Sequence, residues 1–274
     1  MNEQQNEQEN GHEELTRVIA PEVLKMSAVS RLISVFVSPG ELMQNIKSYP
    51  VILAPLIICI IIGAASIPFS RQWTELYMQE LSHISIEMYG IDLSGWSELQ
   101  AADLYGDTNV AGIMDAITIG GLILGVVFGP LIVSLISALG LWILSKILKG
   151  SSTFGQLFSA IMHIYIIYVL GAFVVYGLTV MTGNFIDMTS LASIVMPAGN
   201  ISMPIFNVLS AISVFSVWTA ILTFIAVKVL NDFSGLKAGV IAVIAYAFEI
   251  AVVVGMFMFT FIMWDISARA MGLI

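Results

Sequence analysis

Five long stretches of the chain contain almost only apolar residues. They run approximately over residues 51–69, 113–148, 157–182, 204–230 and 240–264. A helix needs about 20 apolar residues to cross the hydrocarbon core of a bilayer, and each stretch reaches that length. The second stretch is longer than an upright helix needs to cross the bilayer, so we expect it to tilt, to project beyond the bilayer, or to bend at Gly129-Pro130. The pattern predicts an all-α integral membrane protein with a bundle of about five transmembrane helices.

A short helix is predicted directly ahead of the first span. Ser38-Pro39-Gly40-Glu41 is a capping-box pattern with proline at the first helical position. Leu42 and Ile46 would share one face of the helix that follows, which should reach about Ser48. Residues 50–274 would then form the five-helix domain.

A second amphipathic helix is predicted just upstream, within residues 27–49. Its apolar stripe consists of Val29, Leu32, Ile33 and Phe36, with Arg31 on another face. The two helices are read as interfacial, in contact with membrane lipids or a partner. The alternative is that the two helices pack against the chain's own spans, because an apolar stripe does not determine which surface it contacts. The candidate contact residues are Leu32, Phe36, Leu42 and Ile46.

The basic residues predict the orientation of the chain. Short cytoplasmic loops retain positive charge, and eight of the ten Lys and Arg residues fall on one side of the five spans. They are Arg17, Lys25, Arg31, Lys47, Lys146, Lys149, Lys228 and Lys237. The other side holds Arg71 and Arg269. We therefore expect a multi-pass protein of the cell membrane with a cytoplasmic N-terminus and an outside C-terminus.

The composition supports a membrane protein, with 58% hydrophobic and 11% charged residues. The net charge of −9 does not describe the whole protein surface, because most acidic residues lie in two segments. Residues 1–26 lack the pattern of a signal peptide and are predicted to be a polar, disordered cytoplasmic tail. Residues 70–112 form an acidic outer segment with helical spacing of apolar residues from Trp73 to Met88. A solvated acidic face is favoured there over a cation site.

No recognisable catalytic motif is present. The chain lacks the H-E-x-x-H, Gly-x-Ser-x-Gly and phosphate-loop patterns. Cys59 is the only cysteine, so neither a disulfide nor a cysteine-ligated zinc site can form within one chain. A basic nucleic-acid surface is also missing. We therefore expect no enzymatic activity, cofactor, metal or nucleic-acid partner.

Two polar residues fall inside the apolar stretches. A carboxyl group such as that of Glu249 is costly there unless it is neutral, paired or facing water. His163 lies at a similar predicted depth, about two turns from the cytoplasmic end of its span, so a hydrogen bond between the two would satisfy both. The pair would serve either as a proton or substrate relay or as a buried contact that fixes helix register.

Three glycines follow one another at four-residue spacing in the second stretch. Gly121, Gly125 and Gly129 would form a strip along one side of the helix. Small residues allow helices to approach closely within membranes. The strip is predicted to be a helix-packing face.

The chain resembles the bacterial branch of the Yip1 domain family at two stretches. The first is Phe36-Val37-Ser38-Pro39, followed by Leu42, Ile46 and Pro50, and the second is the turn Gly150-Ser151-Ser152-Thr153-Phe154. The resemblance implies a polytopic, non-enzymatic protein with a cytoplasmic N-terminus. Eukaryotic relatives are linked to membrane trafficking, and bacterial ones often look like accessory proteins of other membrane complexes.

Two functions follow from this sequence. The first is a non-enzymatic accessory or scaffold protein that binds and organises or regulates another integral membrane complex, such as an ABC-type exporter. The alternative is a small transporter or channel, formed by one chain or by a homo-oligomer, in which Glu249 and His163 line the pathway. An intramembrane enzyme would need more converging polar groups than the sequence offers.

Overall fold

The computed structural model describes residues 24–89, 108–183, 187–195 and 203–270. Within these ranges the chain forms nine helices and no β-strand. They are α1 (Ala28–Val37), α2 (Pro39–Ser48), α3 (Leu53–Tyr89), α4 (Thr108–Ile147), α5 (Phe154–Thr182), α6 (Ala192–Val195), α7 (Met203–Ala211), α8 (Val214–Asn231) and α9 (Gly235–Ala270). Most of the predicted tail and residues 90–107 of the acidic segment lie outside the described residues.

Five of these helices contain an apolar stretch long enough to cross a membrane. The stretches are Leu53–Ser70 in α3, Ile123–Ile147 in α4, Phe154–Thr182 in α5, Val214–Asn231 in α8 and Gly235–Gly255 in α9. The predicted all-α, five-span architecture is therefore confirmed. The two short helices ahead of the first span are also present, as α1 and α2.

The first two spans are longer than the bilayer requires. α3 continues past Ser70 to Tyr89, so the helical pattern predicted for the acidic segment extends the first span instead of starting a new helix. α4 runs unbroken through Pro130 from Thr108. Its apolar window of span length is Ile123–Ile147, so the helix as a whole is longer than this window.

The predicted fourth span, residues 204–230, is two helices and not one. α7 ends at Ala211 and α8 begins at Val214. Between them, the Ser213 hydroxyl accepts a hydrogen bond from the Ser216 backbone N–H, and the Ser216 hydroxyl accepts one from the Ser213 N–H. This reciprocal cap stabilises a new helix start inside an apolar stretch, which hydropathy alone cannot detect.

α2 begins as predicted but without the predicted cap. Pro39 stands in the first turn, yet the Ser38 side chain makes no capping hydrogen bond. The helix is held by burial instead: Leu42, Met43 and Ile46 are at most 1% exposed. They belong to one apolar core with residues of α5 and α8, including Leu157 and Leu222. α2 is therefore a packed part of the helix bundle.

The orientation of the bundle remains a prediction of the charge pattern, and two exposed positions test it. Met188 and Ser151 are both exposed, and Ser151 precedes the start of α5 whereas Met188 follows its end. In a Cys59→Ser background, we expect an impermeant thiol reagent applied to intact cells to label Met188→Cys and to leave Ser151→Cys unlabelled. Permeabilised cells provide the control, because both cysteines should then react. Labelling of Ser151→Cys alone in intact cells would show that the orientation is the opposite of the predicted one.

Candidate functional site

α1 exposes most of its apolar stripe and buries the face that carries Arg31, Ser34 and Val35. Val29 is 67% exposed, Ile33 54%, Phe36 42% and Val37 72%. On the opposite face, Arg31, Ser34 and Val35 are buried. An amphipathic helix on a soluble bundle would place these faces the other way round. The outward stripe, Val29, Ile33, Phe36 and Val37, is called the α1 apolar face below.

Arg31 ties this helix to the start of the first span. Its Nη1 donates a hydrogen bond of 2.8 Å to the carbonyl oxygen of Tyr49. The guanidinium is 2% exposed, and Nη2 makes no hydrogen bond with a described residue. Burial lowers the pKa of Arg31 from its ordinary value. Because that value is so high, the group stays charged at neutral pH, and the inner face of α1 carries a fixed positive charge.

Polar contacts fix α2 and the chain on either side of it. Asn45 is 1% exposed and donates through Nδ2 to the Leu24 carbonyl oxygen at 2.7 Å. Lys47 forms an ion pair with Asp232 at 2.6 Å, and its carbonyl oxygen accepts a hydrogen bond from Gln156 Nε2 at 2.7 Å. Leu42 and Ile46 face the core. Of the four predicted contact residues, only Phe36 is exposed and Leu32 half-buried.

Ser159 holds the entry of the first span against α5. Its hydroxyl accepts a hydrogen bond from the Val51 N–H at 3.0 Å and donates one to the Val51 carbonyl oxygen at 2.7 Å. Both backbone groups precede α3 and would otherwise lack a helical partner. The position of the first span is thus set by a serine inside an apolar stretch of another span.

Asn231 joins the loop after α4 to the loop after α8. Its Oδ1 accepts hydrogen bonds from the backbone N–H and the hydroxyl of Ser152, at 3.1 and 2.7 Å. Its Nδ2 donates to the Ser145 hydroxyl at 3.3 Å and to the Val227 carbonyl oxygen at 3.1 Å. Gly150 lies against this amide, and a Cβ there would collide with Asn231 Oδ1. These contacts give Gly150 and Ser152 of the 150–154 turn a structural role.

Glu249 and His163 are not brought together. His163 is 2% exposed, and its Nδ1 lies 2.7 Å from the Ser159 carbonyl oxygen. Glu249 is exposed on α9. The two spans begin earlier than predicted and by unequal amounts, so Glu249 lies 14 residues into α9 but His163 only 9 residues into α5. Measured from the first residue of each helix, Glu249 therefore lies about 7 Å deeper along α9 than His163 lies along α5.

A cavity of about 470 Å³ lies between the first three spans. Its described lining comes from Cys59 to Ser70 of α3, Gly121 to Pro130 of α4, and Tyr165 to Tyr176 of α5. The lining is mostly apolar. The hydroxyls of Ser66 and Ser70 donate within α3, to the Gly63 and Ile67 carbonyl oxygens. The tyrosines of α5 are therefore the principal polar groups that face this space.

The glycine strip of α4 opens onto this cavity. Gly121 and Gly125 line it, and a Cβ at either of them or at Gly129 would meet no atom within 4 Å. The described spans therefore do not pack closely on the strip, and its role as a packing face stays a prediction about another chain. Close approach occurs elsewhere: a Cβ on Gly171 would lie 2.6 Å from the Phe215 ring.

The described residues contain no cluster of three or more His, Cys, Asp or Glu side chains that could hold a metal ion. The sequence analysis did not predict the structural role of the polar residues whose hydrogen bonds organise the fold, namely Asn45, Ser145, Ser152, Ser159 and Asn231. A signal existed for Asn231, because an asparagine in the last turn of an apolar span is costly unless its amide is hydrogen-bonded. The sequence did not reveal its partners Ser145 and Ser152, since they lie at the end of α4 and in the loop that follows it.

Comparison with known proteins identifies the family. The model described as the Yip1 domain matches residues 33–257, which is most of the chain and extends from α1 into α9. The chain therefore belongs to the Yip1 domain family. No curated protein and no solved structure matches it.

Proposed function

We propose that this member of the Yip1 domain family is a non-enzymatic accessory protein that binds and organises or regulates another integral membrane complex. The observation that supports this most is the α1 apolar face. Four large apolar side chains project from a helix outside the five spans, while buried polar contacts fix the helix from behind. A rigid apolar surface of this kind suits docking, because little conformational entropy is lost on binding.

An ABC-type exporter is the proposed partner. The described chain offers no metal cluster, and its sequence has no nucleotide-binding motif, so a partner would have to supply the energy for any transport. The exporter suggestion itself comes from the accessory character of bacterial family members. The orientation proposed from the charge pattern places α1 at the cytoplasmic edge of the bilayer, where a partner's membrane domain and its nucleotide-binding subunits meet.

Substitutions on α1 test the docking surface. Ile33→Glu and Phe36→Glu place a charge on the α1 apolar face, away from the buried Arg31 side. A hot-spot residue at the centre of an interface contributes about 2 kcal/mol or more, so we expect at least about a tenfold fall in exporter recovered with the tagged chain from mild detergent. Gln44→Glu is the matched control, because Gln44 is exposed on α2 and gains the same charge.

The same experiment separates docking from lipid anchoring. All three variants should insert and elute as the wild type does, since the altered side chains lie outside the spans. If the exporter is recovered equally with Ile33→Glu and with wild type, α1 contacts lipid only. If the wild-type chain purifies without any exporter subunit, the proposed partner is wrong.

A small transporter or channel is the second candidate function. The cavity between the first three spans and the exposed carboxyl group of Glu249 favour it. Neither His163 nor Glu249 is among the described residues that line this cavity, and His163 is buried whereas Glu249 is exposed. Solute flux into liposomes that contain the chain alone, and its loss in Glu249→Gln, would favour transport over docking.

A further inference from the structure

An aromatic cluster marks one end of the cavity between the first three spans. The rings of Trp73 and Tyr176 lie 5.6 Å apart, and one turn earlier along α3 and α5 those of Phe69 and Phe173 lie 5.7 Å apart. Between these levels, Ser70 ends the apolar stretch of α3 and lines the cavity, as does Tyr176. Tryptophan and tyrosine are enriched where spans meet the head-group region. This end of the cavity therefore lies at a membrane interface.

The cavity extends from this interface to the middle of the bilayer. Its lining on α3 runs from Ser70 back to Cys59, and its lining on α5 runs from Tyr176 back to Tyr165. Each interval is eleven positions, or about 17 Å of helix, and half of a hydrocarbon core of about 30 Å is about 15 Å. The cavity therefore follows one leaflet of the bilayer, the leaflet at the Ser70 end.

α4 gives the same extent from the opposite direction. A short loop joins it to α5, so it runs antiparallel to α5 and to α3, which the paired rings show to be parallel. A Cβ on Gly63 of α3 would lie 3.1 Å from Val126 of α4, which places the two residues at one level. From Val126 the lining continues towards the interface to Gly121 and towards the bilayer centre to Pro130. All three helices therefore line the same half of the bilayer.

The cavity suits hydrocarbon better than water. A buried water needs two to four polar partners, but the lining is mostly apolar and the hydroxyls of Ser66 and Ser70 already donate within α3. The rings of Tyr165 and Tyr168 are stacked with centroids 5.2 Å apart and form a flat wall. Gly125 lines the cavity and is exposed, so lipid chains can reach this space. An empty cavity would deprive the walls of dispersion contacts, which a hydrocarbon chain restores.

We propose that the cavity binds one acyl chain of a phospholipid from the leaflet at the Ser70 end. The methyl end of the acyl chain lies near Cys59 and Tyr165, and the ester and head group lie beside Trp73 and Tyr176. The volume of about 470 Å³ is within the range of small-molecule sites. Spread over about 17 Å, this volume gives a mean width of about 6 Å, too narrow for a partner's helix, which measures about 10 Å with its side chains. This site does not depend on docking at α1.

Native mass spectrometry of the full-length chain, purified in mild detergent, tests the proposal. We expect the wild type to retain one phospholipid per chain. Gly125→Leu fills the cavity, and the cost of overpacking corresponds to at least about a fivefold loss of affinity, so the fraction of chains that retain the lipid should fall by that factor or more. Gly140→Leu is the matched control, because Gly140 is on the same helix, has equally open space and lies outside the cavity.

A crosslinking measurement on the wild type keeps the test decisive if Gly125→Leu folds poorly. In nanodiscs of phosphatidylcholine with a diazirine at the methyl end of one acyl chain, crosslinks should be enriched at Cys59 and Tyr165 over Ile61, a 62% exposed residue of α3 outside the cavity lining. A diazirine beside the ester should mark Tyr176. Equal lipid retention by Gly125→Leu and wild type, a retained free fatty acid in place of a phospholipid, or crosslinks no more frequent at Cys59 than at Ile61 would overturn the proposal.

Discussion

Replacing Asn231 by alanine is expected to destabilise the bundle by about 2–4 kcal/mol. The side chain is 4% exposed and makes four hydrogen bonds that connect two loops and the last turn of α8. Alanine would leave the Ser152 N–H and the hydroxyls of Ser145 and Ser152 buried without these partners. Each unsatisfied group costs about 1–3 kcal/mol. Reversible unfolding in mixed detergent micelles measures the loss.

The next residue provides the control for Asn231. Asp232 has a 72% exposed side chain and pairs with Lys47, and surface ion pairs contribute about 1 kcal/mol or less. Asp232 adopts the left-handed conformation with φ 54°, which asparagine also tolerates. Asp232→Asn should therefore cost less than about 1 kcal/mol. Equal losses for the two variants would show that the Asn231 hydrogen bonds do not hold the loops together.

Gly171→Ala is expected to have the second largest effect. The added Cβ would lie 2.6 Å from Phe215 Cγ and 2.9 Å from Phe215 Cβ, so α5 and α8 could not keep their spacing. Overpacking of this kind costs about 1–3 kcal/mol. The cost should exceed the gain of about 0.5–1 kcal/mol that alanine brings to a helix interior. A lower midpoint of thermal unfolding in detergent is the expected result.

Gly177 on the same helix separates packing from helix propensity. A Cβ there would meet no atom within 4 Å. Gly177→Ala should therefore unfold at the same temperature as wild type or higher. If both alanine variants raise the unfolding temperature, the contact between α5 and α8 at Gly171 is looser than the geometry indicates.

Local sequence signals were sufficient for the architecture. Apolar length identified five spans because the bilayer imposes the same minimum on every helix that crosses it. The pattern at Ser38-Pro39 placed the start of α2, since proline is tolerated in the first helical turn. The family followed from short stretches at Phe36 and Gly150, which the match over residues 33–257 confirmed. Each of these features depends on neighbouring residues along the chain.

Element boundaries were harder to predict where two local signals compete. The break at Ser213 lies within an apolar stretch that satisfies the length criterion for one span. A pair of serines three positions apart is enough to start a new helix by capping, but the same residues are tolerated inside membrane helices. The register of His163 against Glu249 was lost through similar boundary errors, because a few residues change the depth by a full turn.

What only the tertiary structure decided is what each amphipathic face contacts. The stripe of α1 and the apolar face of α2 look alike in sequence, yet Phe36 is exposed and Ile46 is fully buried. The hydrophobic effect is non-directional, so an apolar face specifies burial without specifying the surface that buries it. The two helices are held by contacts with distant positions, such as Arg31 with Tyr49 for α1 and Lys47 with Asp232 for α2. Sequence determined the spans, and contacts between distant positions determined which apolar faces are buried and which stay exposed.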